Sequence, residues 1–324
     1  MAIKTISILT PCYNEAGNLE KLYERTANVM NSIPSYKFEW VIIDNCSTDD
    51  SRQILRELAA RDERLKIIYN LRNFGPGRSS CYGMFQTTGD ATICMACDLQ
   101  DPPELIPSYI DKWEKGSDVV LGKIISSEES NRAFATRGLF YKIMASFSDS
   151  PIESHVTGFG LYSRRVIELL KAEGNPVPNF RFSISNFGFE VSYIEYDQPV
   201  RMAGQSSYNF IRKLDTSIES LTQISTKPVR LITVSGALLA SISLLVLLVS
   251  VVVRIIVHSN TVCWSIVCAL MGLFAGLLAL AIGVVGEYVV LTLMYIKHEP
   301  LVYEKGRINF DKGPDDPWVG SRID

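Results

Sequence analysis

Ala96-Cys97-Asp98-Leu99-Gln100-Asp101-Pro102-Pro103-Glu104 is the stretch on which the fold turns. It follows an apolar run, Ala91 to Cys97, with the character of a buried strand in a parallel sheet. Asp98 then falls where the strand ends, and open α/β sheets bind ligands beyond the carboxyl ends of their strands. Pro102 and Pro103 stop the strand and let a helix begin near Glu104. Asp98, Gln100 and Asp101 are hard oxygen donors on a stiff loop. That set suits a divalent cation carrying phosphates, because Mg²⁺ takes one or two carboxylates and fills its other positions with phosphate and water. The competing interpretation is a helix cap and surface turn without a ligand.

Upstream, strand and helix alternate through short links, the pattern of a helix-covered parallel sheet. Ile3 to Thr10 is expected as the first strand, ending at Pro11-Cys12-Tyr13-Asn14-Glu15, with Asn14 or Asn18 opening a helix. Phe38 to Ile43 is expected as the second strand, with Asp44-Asn45-Cys46-Ser47-Thr48-Asp49 at its end and Ser47 or Thr48 as a helix cap. Leu65 to Tyr69 is the third, followed by Asn73-Phe74-Gly75-Pro76-Gly77 and a helix to about Thr87. Three strand ends thus carry polar clusters, and Asp44 is placed to accept a hydrogen bond from a base or ribose. The Gly75-Pro76-Gly77 turn is not a dinucleotide fingerprint, since Ser80 stands at the third glycine position.

The chain has 324 residues and a formal net charge of −3, so no basic excess points to nucleic acid. Its seven cysteines form no disulfide-like framework. Cys94 and Cys97 are a C-x-x-C, but residues three apart on a strand face opposite sides and do not chelate one ion easily. Lys4 is followed by only a short apolar run, broken at Pro11, so no signal peptide is expected.

Downstream, Asp118 to Gly122 and Gly158 to Tyr162 are strand candidates, and Arg132 to Phe147 is expected as a helix with Arg132, Arg137 and Lys142 giving it a basic aspect. Phe210, Leu214, Ile218, Leu221 and Ile224 recur at helical spacing beside Arg212 and Lys213, as in a helix lying in a membrane interface. Leu231 to Val253 carries no charge and is long enough to cross a bilayer core of about 30 Å. A second apolar stretch, Val262 to Ile296, is too long for one crossing, and Glu287 marks its expected exit. Lys and Arg cluster outside the pair of spans, which puts the N-terminal domain in the cytoplasm. His298 to Asp324 is polar and is expected to be partly unstructured. Gly272, Gly276, Gly283 and Gly286 on the second span could support close helix contacts, within one chain or in a homo-oligomer.

Pro11-Cys-Tyr13-Asn14-Glu15, Asp44-Asn-Cys-Ser47-Thr-Asp49, Asp98-Leu-Gln100-Asp101-Pro-Pro-Glu104 and Arg201-x-x-Gly204-x-Ser206-x-Tyr208 together resemble the family 2 glycosyltransferases of the GT-A fold. Within them the chain is similar to the polyprenyl-phosphate glycosyltransferases of the dolichol-phosphate mannose synthase and GtrB type. The resemblance implies a Rossmann-like, nucleotide-diphospho-sugar transferase domain over residues 1–208, then an amphipathic interfacial helix at 209–229. A two-helix transmembrane hairpin would follow at 230–297 (spans near 231–253 and 264–287), with a cytoplasmic tail at 298–324. It implies inverting transfer of a sugar from a nucleotide donor, a UDP-sugar, to a lipid such as undecaprenyl phosphate at the cytoplasmic face of the inner membrane, both termini cytoplasmic. Pro11, Tyr13, Glu15 and Asp44 would hold the nucleotide, and Asp98 and Gln100 would hold Mg²⁺ or Mn²⁺ on the pyrophosphate. Arg201 would act at the reacting phosphates, and Arg132, Arg137, Ser206, Tyr208, Arg212 and Lys213 would meet the acceptor and phosphates. The family often has Asp two residues before the metal Asp, where this chain has Ala96; it has Gly158 at a position often acidic, and Ser207 where Lys is expected.

A processive polysaccharide synthase is the rival enzyme, but none of the four Trp residues follows an Arg, so its Q-x-x-R-W segment is missing. A catalytically silent, nucleotide-sugar-binding membrane scaffold is the rival from another class.

Overall fold

The structure is a computed structural model, described over residues 3–127, 156–175, 184, 187–199, 227–257, 261–297 and 299–310. The four strands expected upstream of Asp98 are present: β1 (Thr5–Cys12), β2 (Lys37–Asp44), β3 (Leu65–Asn70) and β4 (Ala91–Cys94). β1 runs parallel to β2 and β4, and β2 parallel to β3. Ile6, Ile8, Leu9, Val41, Ile43, Ile67 and Ile93 are buried, taking in both faces of the sheet, as layers of helix on each side require. Helices α1 (Ala16–Ser32), α2 (Ser51–Arg61) and α3 (Pro76–Phe85) supply the links. Gly75, with φ +84°, turns the chain into α3, with Pro76 at its start.

The expectation of a wholly parallel sheet is corrected beyond β4. A 3₁₀ turn at Pro103–Leu105 and α4 (Ile106–Glu114) lead to β5 (Val119–Ser127), and β6 (Val156–Ser163) then inserts between β4 and β5, antiparallel to both. After α5 (Arg164–Glu173), β7 (Val191–Gln198) adds parallel to β5. The polar tail, expected to be partly unstructured, contributes a further strand: Glu304–Ile308 is β8, antiparallel to β3 at the other edge. The order is β7-β5-β6-β4-β1-β2-β3-β8.

Two long helices precede β8: α6 (Lys227–Val257) and α7 (Thr261–Lys297). The described chain divides into an α/β unit, which takes in residues before and after these helices, and a helical unit made of them. α7 is continuous through Glu287, where the sequence suggested an exit; at about 1.5 Å per residue its 37 residues measure roughly 55 Å. Leu273–Lys297 is long and apolar enough to cross a membrane, with a mean hydropathy of 2.2. The amphipathic segment at 209–226 and the helix expected at 132–147 lie outside the described residues.

The edge of the sheet away from the strand ends is locked by Glu39, which is 5% exposed. Its carboxylate accepts from the Ser7 hydroxyl, the Thr88 amide and hydroxyl, the Gly89 amide and the Lys66 ammonium at 2.9 Å. Burial pushes this carboxyl up, but the bonds from Ser7, Thr88 and Lys66 outweigh burial and hold it below the ordinary value. A depressed folded pKa adds stability that is present above the unfolded value of about 4.3 and is lost as pH falls through the folded one. Glu39→Gln is expected to cost about 2–3 kcal/mol at neutral pH, the worth of one or two charged hydrogen bonds. Denaturation curves from pH 7 to 3 should show the gap to wild type closing with acid; a gap independent of pH refutes the assignment.

Candidate functional site at the strand ends

The loop after β4 is built around two aspartates with different tasks. Asp101 is 6% exposed. Its Oδ2 accepts the Ala96 amide at 2.9 Å and its Oδ1 accepts the Tyr196 hydroxyl of β7 at 3.1 Å, so it staples both ends of the loop to the sheet. The sequence suggested an outer-shell or capping role for it; the 3₁₀ turn has no side-chain cap. Burial, and then the negative charge of Asp101, push the Tyr196 phenol far up, so it remains a neutral donor. The Tyr196 hydroxyl also lies 3.3 Å from Thr157 Oγ1, and its ring meets Phe159 edge-on. Gly122 leaves the room this requires: a Cβ there would meet the Tyr109 hydroxyl at 2.7 Å and the Tyr196 ring at 2.9 Å. At the loop's tip Leu99 holds φ at +63° with its side chain buried, a strained conformation fixed by packing.

Asp98 is half-buried, and its Oδ1 accepts only the Gln100 amide, at 3.2 Å. Its Oδ2 and the half-buried Gln100 side chain have no hydrogen-bond partner among the described residues. Two uncommitted hard oxygens on a stapled loop fit a Mg²⁺ or Mn²⁺ ion that takes its remaining ligands from phosphate and water. No group of three or more His, Cys, Asp or Glu able to hold a metal occurs among the described residues.

The ends of β1 and β2 interlock. Register pairs Pro11 with Ile43 and Cys12 with Asp44, and the Asn45 amide donates to the Cys12 carbonyl at 2.8 Å. Asn14 adopts φ +55°; its amide donates to Ser47 Oγ, and its Oδ1 accepts the Thr48 amide at 2.8 Å. Neither Asn14 nor Asn18 caps α1, and neither Ser47 nor Thr48 caps α2; Asn14, Ser47 and Thr48 join the two loops to each other instead. Asp49 Oδ2 accepts the Ala16 amide at the start of α1, and Ser51 Oγ accepts the Glu15 amide. Burial raises the Asp49 carboxyl, and the bonds from Ser51 and Ala16 more than reverse it. Glu15 is 8% exposed and accepts from Asn18 Nδ2, whereas Pro11 and Tyr13 are half-buried.

Asp44 departs from its expected part as an open acceptor. It is fully buried, and its carboxylate accepts Arg52 Nε at 2.9 Å and the Ser47 amide at 3.2 Å. Here it shapes the 44–47 turn.

Sequence reasoning missed an asparagine network that fixes the β3–α3 loop against this turn. Asn45 Oδ1 accepts the Phe74 amide at 2.9 Å and Asn70 Nδ2 at 3.1 Å, while Asn45 Nδ2 donates to Asn73 Oδ1 at 3.0 Å. Asn73 Oδ1 also accepts the Gly75 amide. The available signal was three asparagines, each at or just beyond a strand end, a residue type whose amide bonds backbone in turns.

Cys94 and Cys97 are buried and lie outside any disulfide. A hydrogen bond with Cys12, and burial after it, hold the Cys97 thiol well above its ordinary pKa, so it is protonated at neutral pH. The structure therefore brings Pro11, Tyr13, Glu15, Asp44, Asp98 and Gln100 to the ends of the adjacent strands β2, β1 and β4. Arg132, Arg137, Arg201, Ser206, Tyr208, Arg212 and Lys213 lie outside the described residues.

Known proteins resemble this chain along most of its length. The family model described as glycosyl transferase family 2 matches residues 7–170. The uncharacterized glycosyltransferase YkcC of Bacillus subtilis is 32% identical over 286 residues, 87% of this chain and 88% of that protein. The bactoprenol glucosyl transferase of Shigella phage SfX is 31% identical over 303 residues, 93% and 99% of the two chains. A prophage bactoprenol glucosyl transferase homolog of Escherichia coli is 31% identical over 298 residues, 91% and 96%. The matched region runs from inside β1 to inside α5 and holds all three loops, and the relatives match well beyond it; the chain is a glycosyltransferase and belongs to glycosyl transferase family 2.

Proposed function

We propose that this glycosyltransferase moves a sugar from a nucleoside diphosphate donor, a UDP-sugar, to a polyprenyl phosphate such as undecaprenyl phosphate, with inversion at the anomeric carbon. The observation that carries this is the stapled Asp98–Gln100 loop beside the β1 and β2 loops, in a chain matching bactoprenol glucosyl transferases over nearly its full length. A polyprenyl phosphate is an anion at neutral pH and needs no strong general base to attack. The protein's work is to hold the acceptor in line, stabilise the departing nucleoside diphosphate and exclude water. Asp98 and Gln100 would hold a Mg²⁺ or Mn²⁺ ion, which when bound offsets charge on the pyrophosphate. Pro11, Tyr13 and Glu15 would line the nucleotide side, with Asp44 beneath them. Arg201, Ser206, Tyr208, Arg212 and Lys213, with Arg132 and Arg137, would provide cations and donors for the acceptor phosphate.

The same proposal places the enzyme in the inner membrane through two crossings, with the α/β unit and both termini cytoplasmic. Composition supports a crossing within α7. Chain path supports a second. β8 follows α7 and pairs with β3, so the chain returns to the folded unit it left. A single crossing would strand β8 on the far side of the membrane from its partner, which supports an even number of crossings with α6 as the second apolar helix.

Membranes carrying the protein, supplied with undecaprenyl phosphate and a panel of radiolabelled nucleotide sugars, are expected to yield label in the organic extract with one donor. Measurable nucleotide binding with no lipid-soluble label from any donor would overturn the proposal in favour of a silent scaffold.

A further inference from the structure

We propose that the β3–α3 loop, residues 71–75, takes part in donor binding beside the Asp44–Ser47 turn, and that the segment following α7, residues 300–303 leading into β8, positions it, so that chain beyond the long helices contributes to the donor site. This rests on the donor site proposed above. Residues 71–75 have no regular secondary structure of their own and are held from two sides. One side is the Asn45 network, through the Phe74 amide and Asn73. The other is the returning chain. The Tyr303 carbonyl accepts the Leu71 amide at 2.9 Å, and the Tyr303 ring lies 6.1 Å from Phe74. Arg78, in the first turn of α3, donates from Nε to the Leu301 carbonyl at 2.9 Å and from its terminal nitrogen to the Pro300 carbonyl at 2.8 Å.

The segment is itself anchored. Val302 is 4% exposed, and Glu304, 1% exposed, takes both Nε and a terminal nitrogen of Arg307, which also reaches Gln86 of α3. The loop is therefore clamped between this segment and Asn45, the residue after Asp44. Freeing one wall leaves the Asn45 bonds but lets the loop sample other conformations, and a ligand must then bear the cost of ordering it. That cost falls on donor affinity rather than on chemistry once the donor is bound.

The test uses the full chain in nanodiscs, with UDP binding by calorimetry, donor KM and kcat by transfer to undecaprenyl phosphate, and Tm. Arg78→Ala, which loses two hydrogen bonds, and Tyr303→Ala, which keeps its backbone carbonyl but loses the ring against Phe74, are each expected to raise the Kd for UDP and the donor KM roughly tenfold through a looser loop. Their kcat should stay within about twofold of wild type, since the chemical step is untouched. Tyr303→Phe, which keeps the ring, should recover the Kd lost in Tyr303→Ala. Asn309→Ala is the structural control: Asn309 Nδ2 donates to the Ala59 and Leu65 carbonyls at the far end of β8, away from the loop. It should lower Tm without moving the Kd. Should Tyr303→Ala not fold, the half-exposed Arg78 carries the test. Wild-type binding of UDP with all three alanine variants merely less heat-stable overturns this proposal and leaves the donor site standing. Failure of the wild-type chain to bind UDP removes the UDP-donor reading and this proposal with it.

Discussion

Asp98→Ala is expected to lower sugar transfer about a thousandfold, the scale seen when electrostatic stabilisation of a leaving group is removed, with no loss of membrane insertion or fold. The asymmetry follows from how Asp98 is held. It is half-buried, one of its oxygens accepts a single backbone amide at 3.2 Å, and the other is uncommitted. Losing one such bond costs about 1 kcal/mol. Losing the one carboxylate placed to hold the divalent ion leaves Gln100 alone against the charge developing on the nucleoside diphosphate. Transfer assays at saturating Mg²⁺, together with alkaline extraction of membranes and a melting curve, separate the two effects. Unchanged transfer would reject the metal assignment outright, and an unfolded variant would show that Asp98 is structural.

Asp101→Ala should fail in the opposite order, with stability lost first and activity lost as a consequence. Asp101 is buried and spans the loop, binding the Ala96 amide on one side and Tyr196 of β7 on the other. Alanine leaves a buried phenol and a half-buried amide without their partner, at about 2–4 kcal/mol for two charge-assisted bonds. Freed of its staple, the loop no longer presents Asp98 in one place, and misplacement on the ångström scale costs about a hundredfold in rate. Tyr196→Phe removes only the β7 side and should cost about 1 kcal/mol. The double variant should be no worse than Asp101→Ala alone, because both changes break the same bond. Melting curves and transfer rates on the three proteins decide it; Asp101→Ala with wild-type stability would show that the staple contributes nothing.

Much of the α/β unit was legible because its cues are local. The apolar runs of β1 to β4 and the turn residues after them announce strands that end in polar clusters, and Gly75-Pro76 announces the start of α3. Reading stopped where partners are far apart. Ser47 has the chemistry of a cap, yet its hydroxyl accepts an amide 33 residues upstream, because β1 and β2 pair in parallel and bring their loops together. Asp44 has the chemistry of an exposed acceptor, yet Arg52, the second residue of α2, covers it. β8 is short and charged, with the sequence Glu-Lys-Gly-Arg-Ile, and only the open edge of β3 makes it a strand.

The sequence by itself determined the family, the succession of strands and helices through β4, the choice of Asp98 and Gln100 as the candidate metal ligands, and the two long apolar helices. These rest on side-chain chemistry and periodicity within some ten to thirty residues. Only the tertiary structure decided the antiparallel insertion of β6, the covering of Asp44, the return of the chain as β8 and the division of labour between Asp98 and Asp101. Those depend on hydrogen bonds between groups distant in sequence, such as Asp101 and Tyr196, 95 residues apart. Such a bond is selected when the whole sheet closes, because a buried carboxylate must find donors wherever the fold supplies them.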